Sequence, residues 1–140
     1  YRWFEMPVSS TVTVTGGTPA PAVPADIIGY MAPNQTLIPG QSLASGDGRY
    51  KLIMQGDGNL VLYSPNRALW STGTHGRTPG LFAMQGDGNL VLYGLDNKPY
   101  WASWTQNTGA NALYMQGDGN LVLYNSQSVP IWHTRTFGQL

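Results

Sequence analysis

Met54-Gln55-Gly56-Asp57-Gly58-Asn59-Leu60-Val61-Leu62-Tyr63 occurs three times in the chain, returning letter for letter as residues 84–93 and 115–124. The glutamines are 30 residues apart from Gln55 to Gln85 and 31 apart from Gln85 to Gln116, so the period is regular. A strict period of this size means that one small structural unit is used three times. It is shorter than the about 40–45 residues of a four-stranded propeller blade. Three short sheets around a pseudo-threefold axis are therefore the expected arrangement.

Asp57-Gly58 is a hairpin turn signal. An odd-numbered loop, such as Asp57-Gly58-Asn59, would pair Gln55 with Val61 and Ile53 with Tyr63. That register puts Gln55, Val61 and Tyr63 on one face, and Met54, Leu60 and Leu62 on the opposite, core face. An even loop would mix polar and apolar side chains on both faces, so the odd loop is the one the pattern selects. Each copy is followed by a Trp-bearing strand: Ala68-Leu69-Trp70-Ser71-Thr72, Tyr100-Trp101-Ala102-Ser103 and Ile131-Trp132-His133-Thr134. Large aromatics dominate small cores, so Trp70, Trp101 and Trp132 are read as core, converging on the shared centre. Trp104 lies outside the pattern and is expected to be exposed. No stretch carries a helical period with caps, and the domain is read as all-β.

The outward half of each copy carries the chemistry. An amide, a carboxylate, a second amide, a small apolar wall and a phenol share one shallow patch. Asp accepts hydrogen bonds, Asn and Gln both donate and accept, and Tyr does either. Vicinal sugar hydroxyls, which each donate and accept, ask for this mixture, with Val61 against the aliphatic face of the ring. A carboxylate acceptor makes the stronger hydrogen bonds. One Asp among amides is a poor hard-cation site, so no metal and no cofactor is expected. Gly56, Asp57 and Gly58 can be explained by the turn alone. The turn does not explain why Gln and Tyr recur unchanged while the neighbouring outward position varies as Ile53, Ala83 and Tyr114.

Composition narrows the partners. The 140 residues suit one domain with a short appendage. Only 10% of residues are charged, against about 25% in ordinary globular proteins. Seven basic residues balance seven acidic ones, which removes the electrostatic basis for binding nucleic acid or an anionic membrane. No apolar run approaches a membrane-spanning length, so no membrane insertion is expected. The chain has no cysteine, so disulfides, thiol nucleophiles and thiolate metal sites are excluded.

Residues 1–29 read as an N-terminal strand, alternating Val and Thr from Val8 to Thr15, followed by a Gly/Pro/Ala linker or arm. Starting at Tyr1, the chain reads as a processed or excised fragment of a longer precursor. Asn34-Gln35-Thr36 is a glycosylation sequon, meaningful in a secreted eukaryotic protein. Leu37, Leu43, Tyr50, Leu52 and Met54 read as short strands between Gly and Pro turns. Residues 30–140 form the repeat domain.

Gln-x-Asp-x-Asn-x-Val-x-Tyr in three tandem copies, each followed by a Trp strand, resembles the bulb-type mannose-binding lectins typified by the snowdrop agglutinin. The resemblance covers roughly residues 30–140 and all five motif letters at all three copies. It implies a β-prism II, with three four-stranded antiparallel sheets in pseudo-threefold symmetry. It also implies three carbohydrate-binding sites: Gln55, Asp57, Asn59, Val61 and Tyr63; Gln85, Asp87, Asn89, Val91 and Tyr93; Gln116, Asp118, Asn120, Val122 and Tyr124. In that family the Asp and Asn would bond the axial 2-hydroxyl of mannose, the Gln the 3-hydroxyl and the Tyr the 4-hydroxyl, with the Val against C3 and C4. The chain departs from plant members in lacking the disulfide they carry near Gly58 and Gly80, which points to a bacterial, fungal or animal member. Family dimers often exchange the C-terminal strand, so a homodimer or other homo-oligomer is expected, with the tail after Trp132 as its means.

The function expected is metal-independent, multivalent binding of mannose and mannose-containing glycans in a secreted or extracellular setting. The alternatives are a glycan-binding or targeting module of a larger secreted protein, or a lectin-like bacteriocin or toxin. An enzyme is not expected. A glycosidase needs two carboxylates about 5–10 Å apart, and the acids outside the motif, Glu5, Asp26, Asp47 and Asp96, are isolated in sequence. His75 and His133 lack a Ser or Cys partner and are read as surface or strand residues.

Overall fold

The computed structural model describes residues 26–140, so the strand and linker expected before them lie outside the described residues. Among the described residues every regular element is a strand. A lead-in supplies β1 (Ile27–Ile28), β2 (Tyr30–Met31), β3 (Thr36–Leu37) and β4 (Ser42–Ala44). The first repeat supplies β5 (Lys51–Met54), β6 (Leu60–Tyr63) and β7 (Ala68–Ser71). The second supplies β8 (Pro79–Met84), β9 (Leu90–Gly94) and β10 (Pro99–Ala102), and the third β11 (Ala110–Met115), β12 (Leu121–Asn125) and β13 (Pro130–His133).

Each repeat is a three-stranded antiparallel meander, and the lead-in completes all three. β4 joins β5, β3 joins β8 and β2 joins β11, each antiparallel. The result is the expected trio of four-stranded antiparallel sheets. The first sheet gains one addition, the two-residue β1, which runs parallel to β4 through Ile27↔Leu43 and Ile28↔Ala44. Because one short segment zips into three sheets, no repeat is a separable unit.

The inner faces make one core. Met54, Leu60 and Leu62, Met84, Leu90 and Leu92, and Met115, Leu121 and Leu123 are all buried in it, with Met31, Leu37 and Leu43 from the lead-in. Packed against this core, and only half-buried rather than at its centre as expected, Trp70, Trp101 and Trp132 meet edge to face, with ring centroids 5.6–5.7 Å apart for all three pairs. Three equal contacts of this kind mark the pseudo-threefold axis. Such pairs add about 0.5–1.5 kcal/mol each beyond the burial of their area. Trp104, outside the pattern, is exposed.

Candidate functional site

The hairpin of each copy is built the same way. Gly58 N–H donates to Gln55 O at 3.2 Å, Gln55 N–H donates to Asn59 O at 2.9 Å, and Gly58 has φ +94°. A turn followed by one left-handed residue is a standard three-residue hairpin loop, which requires glycine at that place. The loop is therefore odd, as expected, but it consists of Gly56-Asp57-Gly58. The observed pairs are Met54↔Leu60, Ile53↔Val61 and Lys51↔Tyr63. This corrects the expected pairing of Gln55 with Val61 and Ile53 with Tyr63 by two residues. The cause is that the left-handed residue, Gly58, closes the loop one position earlier than Asn59. A shift of two leaves every side chain on its face, so the division into inner and outer halves stands.

The fifteen expected residues fall into three clusters on the outer faces of the sheets, alike in their Gln–Tyr contact and Asp–Asn turn but not in their exposure. Gln55 Nε2 donates to Tyr63 Oη at 2.5 Å, and Gln85 Nε2 to Tyr93 Oη at 2.5 Å. In the third copy the amide orientation that satisfies both neighbours has Gln116 Oε1 accepting from Tyr124 Oη at 2.6 Å. Its nitrogen then donates to both oxygens of Asp118 at 3.2 Å. Asp57, Asp87 and Asp118 each use Oδ1 to accept the N–H of the Asn two residues on, at 3.0, 3.0 and 2.9 Å. This local loop pins the carboxylate over the outer face. Val61, Val91 and Val122 pack beneath as the apolar floor and are buried. The second cluster is the most enclosed: Gln85 and Tyr93 are 2% and 7% exposed. Leu81, Ala83, Val91 and Tyr93 pack there with Ile38 and Ala102.

A second layer, absent from the sequence reading, fixes the Asn. Asn59 Oδ1 accepts from Thr72 Oγ1 at 3.1 Å and from Thr74 N–H at 3.2 Å. The two hydroxyls lie 2.8 Å apart, and Thr74 Oγ1 donates to Gly58 O at 2.6 Å. Ser103 and Thr105 hold Asn89 in the same way, and Thr134 and Thr136 hold Asn120. With its carbonyl committed, each Asn is left with its amide nitrogen, a pure donor, for any further partner. The signal was present as Trp-x-Ser/Thr-x-Thr after every copy, hidden by the interest of the Trp. In the third copy alone the residue after the Trp is a histidine. His133 Nδ1 accepts from Arg135 N–H at 3.2 Å and lies 3.4 Å from Asn120 Nδ2. Two donors facing Nδ1 assign the ring proton to Nε2.

The arrangement can grip a small polyhydroxylated molecule. Each cluster offers a carboxylate acceptor, a donor nitrogen and a Gln–Tyr pair whose members hold each other in place, on an apolar floor. Among the described residues no three His, Asp or Glu side chains gather to hold a metal ion.

No protein-family model matches the chain. Over 42 residues it is 50% identical to the mannose-specific lectin of Narcissus pseudonarcissus, a stretch that is 30% of this chain and 37% of that lectin. The chain thus spans little more than a third of that relative's length. Solved structures match far more of it. A structure reported among the monomeric monocot mannose-binding lectins of Gastrodia elata superposes with a TM-score of 0.71 at 40% identity, covering 78% of this chain and 98% of that one. The mannose-specific agglutinin of snowdrop (Galanthus nivalis), solved with methyl-α-D-mannoside, gives 0.64 at 38% identity over 77% of this chain and 96% of that one. A Marasmius oreades lectin gives 0.75 at 29% identity over 83% and 100%. By this likeness over nearly whole relatives, with three matching sheets and three copies of the motif, the chain belongs to the monocot, bulb-type family of mannose-binding lectins.

Proposed function

We propose that this chain is a lectin that binds mannose and mannose-containing glycans without a metal ion, one sugar at each Gln-x-Asp-x-Asn-x-Val-x-Tyr cluster. The observation that carries the reading is the recurrence of one outward geometry in three different surroundings: the Gln–Tyr bond, the Asp–Asn turn and the Thr-braced Asn. A core requirement would repeat Met54, Leu60 and Leu62, and would leave Gln55 and Tyr63 free to change. The snowdrop agglutinin's complex with methyl mannoside supports mannose as the sugar. In the proposed pose the carboxylate and the Asn amide take the axial 2-hydroxyl, Gln the 3-hydroxyl and Tyr the 4-hydroxyl, with Val against the ring. Contact with an axial 2-hydroxyl separates mannose from glucose.

Each site is shallow and weak alone. Three on one chain supply avidity toward a branched glycan when their spacing permits simultaneous engagement. The protein binds and does not turn over its ligand, in a secreted or extracellular setting where such glycans are displayed. A homodimer would multiply the sites further. Within this chain β13 pairs with its own β12, so strand exchange is not needed to complete the third sheet. Titration with methyl α-mannoside, with and without chelator, tests the reading: binding in the millimolar range, indifferent to chelator and absent for methyl α-glucoside, is expected. A folded protein that ignores millimolar methyl mannoside overturns it.

A further inference from the structure

Three copies of one motif form an internal control, because each outward position can be compared across them. On the strand before the Gln, the outward residues are Lys51 and Ile53 in the first copy, Leu81 and Ala83 in the second, and Ala112 and Tyr114 in the third. Lys51, Leu81 and Ala112 all stand opposite the motif Tyr. In the second copy Leu81 packs with the motif Tyr93, in the first the Lys51 ammonium lies 4.0 Å from Asp26, and in the third the alanine leaves the ground beside the phenol open. In the third copy a cavity of about 620 Å³ occupies that ground, running from Gln116 and Tyr124 past Ala112 and Tyr114 to Asn125 and Ser128. This lies within the about 300–1,000 Å³ of ordinary small-ligand pockets.

The cavity has a fixed aromatic wall. Tyr114 stacks on Tyr30 with ring centroids 5.0 Å apart, and Tyr124 meets it nearly edge-on at 5.6 Å. The contacts restrain the Tyr114 ring before any ligand arrives, which lowers the ordering cost of binding. The opposite rim is polar and uncharged. Asn125 Oδ1 is committed to its turn, accepting from the N–H groups of Gln127 and Val129 at 2.9 and 3.0 Å. Its amide nitrogen is therefore the end that serves a ligand. Aromatic carbon on one side, with amide and hydroxyl groups on the other and no charge in the lining, matches a neutral pyranose.

We propose that the third site is a two-ring site: one sugar sits on Gln116, Asp118, Asn120 and Tyr124, and the next ring of the same oligosaccharide lies in the cavity against Tyr114. The inference rests on the mannose reading above and goes beyond it, in assigning the third copy a preference for oligosaccharide over monosaccharide that the first lacks.

The test uses the full chain carrying Asp57→Ala and Asp87→Ala, so that the third site is read alone by NMR and calorimetry. Methyl α-mannoside is compared with α-linked mannobioses and mannotrioses. The best oligosaccharide is expected to bind roughly tenfold tighter than the monosaccharide, the usual scale for an aromatic contact. Tyr114→Ile, which installs the first copy's kind of residue, should shrink that ratio toward one, and Tyr114→Phe should retain it. Ala112→Leu, which installs the second copy's residue beside the phenol, should also shrink it and decides the matter if the Tyr114 variant fails to fold. Monosaccharide binding with no oligosaccharide gain, or a gain untouched by both variants, overturns the two-ring site alone. A folded double variant that binds neither sugar overturns the third site, and a folded wild-type chain that binds neither overturns the mannose reading and this inference with it.

Discussion

Asn59 Oδ1 accepts from the backbone N–H of Thr74 at 3.2 Å, tying the tip of the first hairpin to the segment that leaves the third strand of the same repeat. The same tie joins Asn89 to Thr105 and Asn120 to Thr136, both at 3.2 Å. In the proposed reading the Asn is a joint between fold and site: its oxygen serves the repeat, which leaves its nitrogen for the sugar.

Thr72→Val tests that joint. The hydroxyl it removes donates to Asn59 Oδ1, accepts from Leu60 N–H at 3.1 Å and lies 2.8 Å from Thr74 Oγ1. Leaving such partly buried groups unpaired costs about 1–3 kcal/mol, which denaturant titration will register. Affinity at the first site should fall roughly tenfold, while chemical-shift changes at the second and third sites remain as in the wild type. Full affinity at the first site in a stable variant would show that the Asn needs no brace.

Gly58→Ala should cost more stability than Gly88→Ala. Both positions have φ +94°, a conformation that L side chains rarely adopt, and strain of that kind costs of order 1–3 kcal/mol. They differ in surroundings. A Cβ at Gly58 would come within 2.1 Å of Arg77 O, whereas at Gly88 the nearest atom is Thr105 O at 3.0 Å. Backbone oxygen cannot swing aside as a flexible side chain can. Equal losses in parallel denaturation curves would contradict this ordering.

A pH effect is expected at the edge of the third site. The Arg49 guanidinium, then the Ser45 hydroxyl and the Arg49 N–H, hold the Asp47 carboxyl well below the usual carboxylate range. Arg49 also donates to Gly117 O, in the loop of the third copy, at 2.7 Å. Because the folded value is depressed, the pair's contribution is fully present above the ordinary carboxylate range. It diminishes as pH falls below that range and the unfolded chain takes up a proton first, and it is gone once the folded carboxyl protonates. The pair is exposed, so the effect on overall stability is small. In a carboxyl-carbon NMR titration the Asp47 midpoint should lie below the usual carboxylate range, and Arg49→Ala should raise it part of the way, since the Ser45 hydroxyl and the N–H of residue 49 remain. An Asp47 midpoint unmoved by Arg49→Ala would contradict the assignment.

Much of this was legible in the sequence because period and chemistry coincided. Alternation separated Met54, Leu60 and Leu62 from Gln55, Val61 and Tyr63, and the fixed spacing of Trp70, Trp101 and Trp132 placed them on the axis. The hairpin register was misjudged by two residues, since face alternation cannot distinguish registers of equal parity and only the left-handed Gly58 decides. The lead-in was readable as short strands but not as three strands for three different sheets. Tyr30, Leu37 and Leu43 carry no local sign of which repeat each will meet; those pairings are set by closure of the whole prism. The Thr72–Thr74 brace escaped because hydroxyls after a Trp look like ordinary surface residues. The Tyr30–Tyr114 stack joins residues far apart in sequence, and no periodicity announces it.

The central claim is that the outward half of the repeated motif is the sugar site and that the inward half is not. Changing Asp57, Asp87 and Asp118 together to Ala and titrating the variant beside the wild type with methyl α-mannoside tests it most directly. The wild type should bind in the millimolar range, and the triple variant should melt cooperatively with its strand spectrum intact and show no binding. A folded triple variant that still binds with the wild-type affinity would contradict the account.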